Sequence, residues 1–371
     1  MSLRNRLEQA AAPESLNRIF AKYGVMGNPY PSSSQTNDNP HNRSSVDEVI
    51  DQKIESFIRD HKSQVVVIEG TQGTGKTNVL NFYERELQDV LPGLGGYYVV
   101  RYLADPESSF DGILRRLFQE LGADHLKKLG EALAADSVKA NAAIEGARSY
   151  EVRIAARKLA SSSGSDSVTE MLYEWFMGLR ILKAHKDSLG VSFRLDTVES
   201  RTAAFRDLVQ ISSTMGLLNG VFLLLDELEK QDGVLSAIAV ARYLSSMRAI
   251  IDALPNHLFM MIAVTPDALR RYSLALPAFR SRLENRIELQ PLMNLQEAEA
   301  LADFYLGVSR EAAEKQHGKK GGDHVLLTKN VIAENFNVLL ERAKKRNDTG
   351  LRQREFLHTL HELAETELQK I

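Results

Sequence analysis

The sequence predicts an α/β protein built on a mainly parallel β-sheet, and two observations carry that expectation. Short apolar runs, Val65–Ile68, Tyr97–Tyr102, Val221–Leu225, Leu258–Val264 and the weaker Ile287–Leu289, alternate with stretches of helical periodicity. Most of these runs are continuous rather than alternating, as strands covered on both faces require, and all are too short to be helices.

The first segment, 1–44, reads as an N-terminal helix to about Lys22 followed by an arm. The Gly27–Ser34 tract, rich in Asn, Pro and Ser, cannot sustain a helix and is expected to run extended over a surface. The core is expected to span 45–291. It opens with an amphipathic helix over Ser45–Asp60, with Ser45 as N-cap, Glu48 completing a capping box, and Val46, Val49, Ile50, Ile54 and Phe57 at helical spacing. Between the second and third strands the chain runs about 115 residues, far more than a crossover needs. An inserted helical subdomain over about 120–200 accounts for the excess. It comprises the Ala-rich Lys127–Arg157, a flexible joint at Ser161–Ser165, and a helix over Val168–Ala184 carrying the only tryptophan, Trp175, which with Phe176 reads as core. After Pro291 the pattern is all-helical, so 292–371 is expected to form a small α domain. Its helices are Leu295–Val308, Asn330–Lys345 and Leu351–Gln369, with a loop at Gly318–Gly322.

Composition removes several function classes. The 371 residues are 43% hydrophobic and 26% charged with formal net charge −3, so no basic coat exists and nucleic-acid binding must be local. No cysteine is present, which excludes disulfides, thiolate zinc sites, iron–sulfur clusters and a cysteine nucleophile. Charges within Met1–Glu8 stand where a secretory leader needs an unbroken apolar stretch, so no export is expected, and the apolar runs are far short of the ~20 residues a spanning helix needs. A cytoplasmic protein without membrane contact is expected.

The strongest chemical signal is Gly70-Thr71-Gln72-Gly73-Thr74-Gly75-Lys76-Thr77, which satisfies G-x-x-x-x-G-K-[ST]. A strand leads into it, and the helix beginning Asn78-Val79-Leu80 leads out. Glycine lets successive N–H groups turn inward on a β-phosphate, and the helix N-terminus adds partial positive charge. Gly70 to Asn78 is therefore the expected nucleotide cradle, with Lys76 on the β- and γ-phosphates and the Thr77 hydroxyl on Mg²⁺. A second strand ends Leu225-Asp226-Glu227. Asp226 is expected to hold the hydrated Mg²⁺ and Glu227 to orient and deprotonate water; Glu beside Asp favours hydrolysis over phosphorylation of a small molecule.

Further candidates follow from position. Thr265 closes the fourth strand, where it either contacts the γ-phosphate and water or caps the next helix. In Leu276–Arg286, Arg282, and second Arg280, precede the last strand and can reach a neighbouring subunit's nucleotide in trans; the alternative is a solvated basic turn. Arg354, and second Arg352, open the last helix, where an arginine can report the γ-phosphate to the helical lid or make a surface ion pair.

The ordered set Gly70–Thr77, Asp226-Glu227, Thr265, Arg282 and Arg354 resembles the AAA+ ATPases, in particular the clade of origin-recognition/Cdc6-type initiators and transposition-regulating ATPases. Val264-Thr265-Pro266-Asp267, Ser281-Arg282-Leu283 and Arg354-Glu355-Phe356-Leu357 are also similar to ATPases of BREX-type phage-defence loci. The resemblance implies a P-loop sheet of order 5-1-4-3-2, an all-α lid, ATP as the nucleotide beside the Mg²⁺ expected at Thr77 and Asp226, and assembly into rings or filaments with nucleotide at subunit interfaces. It also implies that the arm near Pro29-Tyr30 lies beside the adenine. The insertion is longer than a minimal AAA+ module carries, and a winged-helix DNA reader after the lid is not expected.

Two partner readings remain open. Arg342, Lys344, Lys345 and Arg346, with Lys319 and Lys320, can neutralise the phosphates of double-stranded DNA, or form a solvated helix C-terminus. The function expected is an ATP-hydrolysing switch acting on or with nucleic acid in replication, transposition or anti-phage defence. The alternative is a nucleotide-controlled scaffold whose insertion recruits a partner protein encoded nearby. His358 and His361 share a helix face without an evident third metal ligand.

Overall fold

Five strands, β1 (Gln64–Gly70), β2 (Tyr97–Leu103), β3 (Gly220–Asp226), β4 (Leu258–Val264) and β5 (Asn285–Leu289), form one sheet in the order β2-β3-β4-β1-β5. This is the 5-1-4-3-2 order that the resemblance implies. The pairs β1–β4, β2–β3 and β3–β4 are parallel, with Val67 opposite Ile262, Val99 opposite Phe222 and Leu225 opposite Ile262. Parallel pairing brings the C-terminal ends of these strands to one sheet edge. Every residue of β3 and β4 is buried, which explains their unbroken apolar sequences.

This computed structural model describes residues 13–32, 42–103, 110–179, 182–231, 234–283 and 285–371. Met1–Glu8, Ser33 and Ser34 of the arm, and Glu284 of the arginine-rich turn lie outside the described residues. The helices are α1 (Pro13–Tyr23), α2 (Ser44–Asp60), α3 (Lys76–Leu94), α4 (Asp111–Ala135), α5 (Ser137–Gly146), α6 (Tyr150–Ser161), α7 (Asp166–Phe176), α8 (Lys183–Leu189), α9 (Val198–Thr214), α10 (Ala237–Ala253), α11 (Pro266–Ala275), α12 (Leu295–His317), α13 (Lys329–Lys345) and α14 (Gln353–Leu368). None among the described residues is long and apolar enough to cross a membrane.

The chain forms two compact units. One comprises Ser44–Glu69 and Leu80–Ile287; the other comprises the residues up to Arg43, Gly70–Val79 and Glu288–Ile371. In the first, α2 begins at Ser44, one residue before the expected Ser45 cap, and buries Val46, Ile50 and Phe57. Val49 points outward. Phe57 packs edge-on against Phe222 at 5.2 Å and meets Phe259 at 5.5 Å. A Cβ on Gly220 would lie 2.5 Å from the Phe57 ring, so a glycine must start β3.

The helices between β2 and β3 share that core. Trp175 is buried and donates from Nε1 to Phe193 O at 2.9 Å, and Phe118 stacks on Phe176. Two expectations change here. Ser161–Ser165 is no flexible joint: Gly164 adopts φ +66, and a Cβ there would come 2.4 Å from Lys127 O, so the turn is pressed onto α4. The expected Val168–Ala184 helix divides into α7 and α8, because Gly178 turns left-handed (φ +66) against the Arg201 guanidinium. A buried polar chain ties these helices to the sheet. The Tyr98 hydroxyl on β2 lies 2.7 Å from His125 Nδ1 on α4, and His125 Nε2 lies 2.8 Å from Ser212 Oγ on α9.

In the other unit, α12, α13 and α14 pack around Leu301, Phe336, Phe356 and Leu360. The first of these helices is longer than its sequence period suggests, running to His317. The N-terminal segment is not an arm over a surface: Val25 and Tyr30 are buried in this same apolar cluster. His324 N and Gly322 N donate to Lys22 O and Phe20 O, and Asn28 Nδ2 donates to His361 O. His361 Nδ1 faces Tyr30 O at 2.6 Å, which makes that nitrogen the protonated one and gives the histidine a structural partner. Non-helical backbone is tolerated here because its polar groups bond to neighbouring segments.

Candidate functional site

The phosphate-binding loop spans the end of β1 and the start of α3. Gly73 (φ +83) and Gly75 (φ +97) take backbone conformations that side chains resist, which turns consecutive N–H groups to one side. Thr74 is fully buried, and its hydroxyl donates to Thr71 O at 2.9 Å, closing the loop on itself. Lys76 and Thr77 form the first turn of α3, and Val79 N donates to Gly75 O. The buried Lys76 amine donates to Gly70 O at 2.8 Å and to Thr71 O at 3.3 Å, folded back on its own loop. Asn78 is buried as well, and its Oδ1 finds no hydrogen-bond donor among the described residues. Two left-handed glycines beside a helix N-terminus, with a lysine amine held on the same loop, offer the donors that a polyphosphate needs.

Within the same unit, the start of α14 lies on this loop. Arg354 N donates to Gly73 O at 3.1 Å. A Cβ on Gly73 would sit 3.4 Å from Arg352 Cβ and 3.5 Å from Arg354 Cβ, so glycine permits the approach. Gln72, Gly73, Arg352, Arg354 and His358 line a cavity of about 360 Å³. The two arginines differ. Arg352 donates to Asp348 at 3.0 Å, whereas Arg354 is exposed and has no ion pair among the described residues. Arg346 is also committed, gripping Glu355 with two nitrogens and Asp348 with a third, and Lys344 pairs with Glu341. The basic run at the end of α13 is thus partly neutralised.

The acidic pair belongs to the first unit. Asp226 is 1% exposed; its Oδ1 accepts from Glu227 N at 2.8 Å and its Oδ2 from Arg101 Nη2 at 2.7 Å. Glu227 has φ +53, a conformation that costs a non-glycine residue of order 1–3 kcal/mol. It turns the chain out of β3 into the helical turn Leu228–Gln231, where its carboxylate pairs with Lys230. Thr265 directly follows β4, the strand beside β3, and occupies the N-cap position of α11. Its side chain makes no capping hydrogen bond, so the hydroxyl is not committed to the helix. Arg282 is held by Asp252, which accepts its Nε at 2.6 Å and also accepts from Arg248. Arg280 is exposed at the end of the single helical turn Pro277–Arg280.

Sequence reasoning missed two residues. Arg101 pairs with Asp226 and reaches Asn81 Oδ1 at 3.2 Å and Glu84 at 3.7 Å, leaving its buried Nη1 without a hydrogen-bond acceptor. A lone charge inside the Tyr97–Tyr102 run was its only signal. Arg43 donates to the loop carbonyl of Thr74, and nothing in the sequence marks it. No group of three metal-ligating side chains of the His, Cys, Asp or Glu type occurs among the described residues.

A family model described as BREX system ATP-binding protein BrxC/D matches residues 111–357, about two thirds of the chain. The match includes Asp226, Glu227, Thr265, Arg280, Arg282, Arg352 and Arg354 and begins after the Gly70–Thr77 loop. No curated protein matches the chain. Among solved structures, the ORC2 protein of Aeropyrum pernix in ADPNP–ADP complexes is 12% identical with a TM-score of 0.42, over 87% of this chain and 68% of that one. The ORC1 protein of Aeropyrum pernix in complex with DNA is 15% identical with a TM-score of 0.36, over 89% and 67%. Cdc6p of Pyrobaculum aerophilum is 14% identical with a TM-score of 0.37, over 86% and 66%.

Proposed function

The chain belongs to the family of BREX system ATP-binding proteins BrxC/D, and on that basis we propose that it is a magnesium-dependent ATPase of the AAA+ type. The observation that supports this reading is the loop itself: two left-handed glycines followed at once by a buried lysine at a helix N-terminus. In this reading the N–H groups of Gly70 to Asn78 bind the triphosphate and Lys76 places its ammonium on the β- and γ-oxygens. Thr77 and Asp226 hold Mg²⁺, which when bound neutralises charge developing on the phosphoryl oxygens. Glu227 takes the proton of the attacking water, and Thr265 orients that water. Arg282, or Arg280 in its place, completes a neighbouring copy's site, for which Arg282 must release Asp252. Arg354, with Arg352 behind it, senses the γ-phosphate from the lid. ATP then favours an assembled ring or filament that relaxes on hydrolysis, acting with nucleic acid in anti-phage defence.

The test is calorimetry with ATP and Mg²⁺. Wild type binds, Lys76→Ala gives a flat trace, and Glu227→Gln binds but turns over at least 100-fold more slowly. Normal affinity in Lys76→Ala, or unchanged turnover in Glu227→Gln, overturns the assignment. A second reading, a nucleotide-controlled scaffold, draws support from apolar side chains exposed on the insertion, Tyr150, Leu182 and Phe193. Duplex DNA separates the two. Stimulation of hydrolysis that falls steeply with salt supports the nucleic-acid role, and its absence at low salt supports the scaffold.

A further inference from the structure

One guanidinium group touches both the phosphate-binding loop and the start of the lid. Arg43 Nη2 donates to Thr74 O at 3.0 Å and to Gln290 O at 3.2 Å. Thr74 is the buried residue that closes the loop. Gln290 follows β5 and precedes Leu292, which exchanges two main-chain hydrogen bonds with Leu351 just ahead of α14. The α14 start in turn donates through Arg354 N to Gly73 O. Loop, hinge (Gln290–Leu292) and last helix therefore form a closed circuit in which the Arg43 side chain is bonded to both loop and hinge. Burial pulls the Arg43 pKa down, while Glu297 and the Tyr305 hydroxyl on α12 oppose that shift. Glu297 is itself anchored by Met293 N and Asn294 Nδ2 at the α12 cap.

We propose that Arg43 is a positioning residue that couples occupancy of the phosphate-binding loop to the hinge of the lid. Its planar group holds two carbonyls at a fixed separation, so a shift of the Thr74 peptide when an anion enters the loop is passed to Gln290. The proposal rests on the nucleotide reading above only for the identity of the anion. The strut itself rests on the contacts of Arg43 with Thr74 O and Gln290 O alone.

Hydrogen exchange and calorimetry on the full chain test both parts. The control is Arg310→Met. Arg310 also bridges two carbonyls, Tyr23 O and His324 O, each at 3.0 Å, and it bonds neither the loop nor the hinge. Without nucleotide, Arg43→Met should speed exchange at both 74–79 and 291–294 at least tenfold, and Arg310→Met should leave both at the wild-type rate. With ADP or a non-hydrolysable ATP analogue, wild type should gain protection at 291–294. Arg43→Met should bind about tenfold more weakly and lose that gain. Equal exchange in Arg43→Met and Arg310→Met overturns the strut. If Arg43→Met does not fold, the wild-type arm decides alone: nucleotide binding without added protection at 291–294 overturns the coupling. A flat wild-type calorimetric trace beside faster exchange in Arg43→Met overturns the nucleotide reading and leaves the strut standing.

Discussion

His125 should set an acid limit on the stability of this protein. The residue is 3% exposed, and its ring is bracketed by the Tyr98 and Ser212 hydroxyls. Both hydroxyls can donate or accept, so they satisfy the neutral ring and would also satisfy an imidazolium. Burial is what opposes the charge, with Lys128 adding to it, and together they push the pKa down from 6.5 to about 4. Above pH 6.5 the ring is neutral in the folded and unfolded chains, and the full stability is present. Below that, the unfolded chain takes a proton that the folded one refuses. Stability therefore falls as pH drops from about 6.5 towards 4 and then levels. A shift of this size corresponds to about 3 kcal/mol, of which about 2 kcal/mol is lost by pH 5.

Asp47 acts in the opposite direction. Burial is the main cause that lifts its carboxyl to about 6, with a hydrogen bond from Tyr83 opposing and Asp51 adding to the rise. The folded chain therefore gains a proton there first, and folding is favoured as pH falls through 6. The comparison must be made between variants at each pH. Urea unfolding of wild type and His125→Gln at pH 7.5 and 5 should show wild type losing about 2 kcal/mol more than the variant. Equal losses in the two proteins would refute desolvation as the dominant effect at His125.

Other perturbations follow from the same contacts. Arg101→Met leaves the Asp226 carboxylate buried with the Glu227 amide against it but no cation, and should cost about 3–5 kcal/mol in denaturant unfolding; the double variant Arg101→Met/Asp226→Asn should lose less than the sum of the singles. Gly164→Ala forces a Cβ against Lys127 O and should lower the urea midpoint by the equivalent of about 2 kcal/mol, whereas a true flexible joint would tolerate it unchanged. Mixing Arg282→Ala with Lys76→Ala subunits should recover ATP turnover that each lacks alone; if no ratio does so, the trans role of Arg282 is wrong.

Much of this protein is legible from one dimension because the relevant geometry is local. A cradle of N–H groups needs glycines at set spacing beside a helix start, so Gly70–Thr77 announces itself. Strands buried on both faces need unbroken apolar runs, so β3 and β4 do the same, and Asp226 and Glu227 are found where a run stops. The expected flexible joint at Ser161–Ser165 and the expected surface arm failed for a shared reason. Small and polar residues permit a turn in water or a turn pressed against a helix, and only the neighbours choose between them. Gly164 lies against Lys127 O, and Tyr30 lies among the lid helices.

The arginines show the boundary most clearly. Arg101 meets Asp226 across 125 positions, and Arg43 meets Thr74 across 31 and Gln290 across 247. A guanidinium carries the same charge wherever it sits, and no spacing rule links it to a carbonyl or carboxylate so far along the chain. Sequence alone determined the sheet, the loop and the acids, because short-range sterics and periodicity encode them. Tertiary packing alone decided which long side chains brace them, because that depends on which distant backbone atoms arrive within 3 Å or so of a donor.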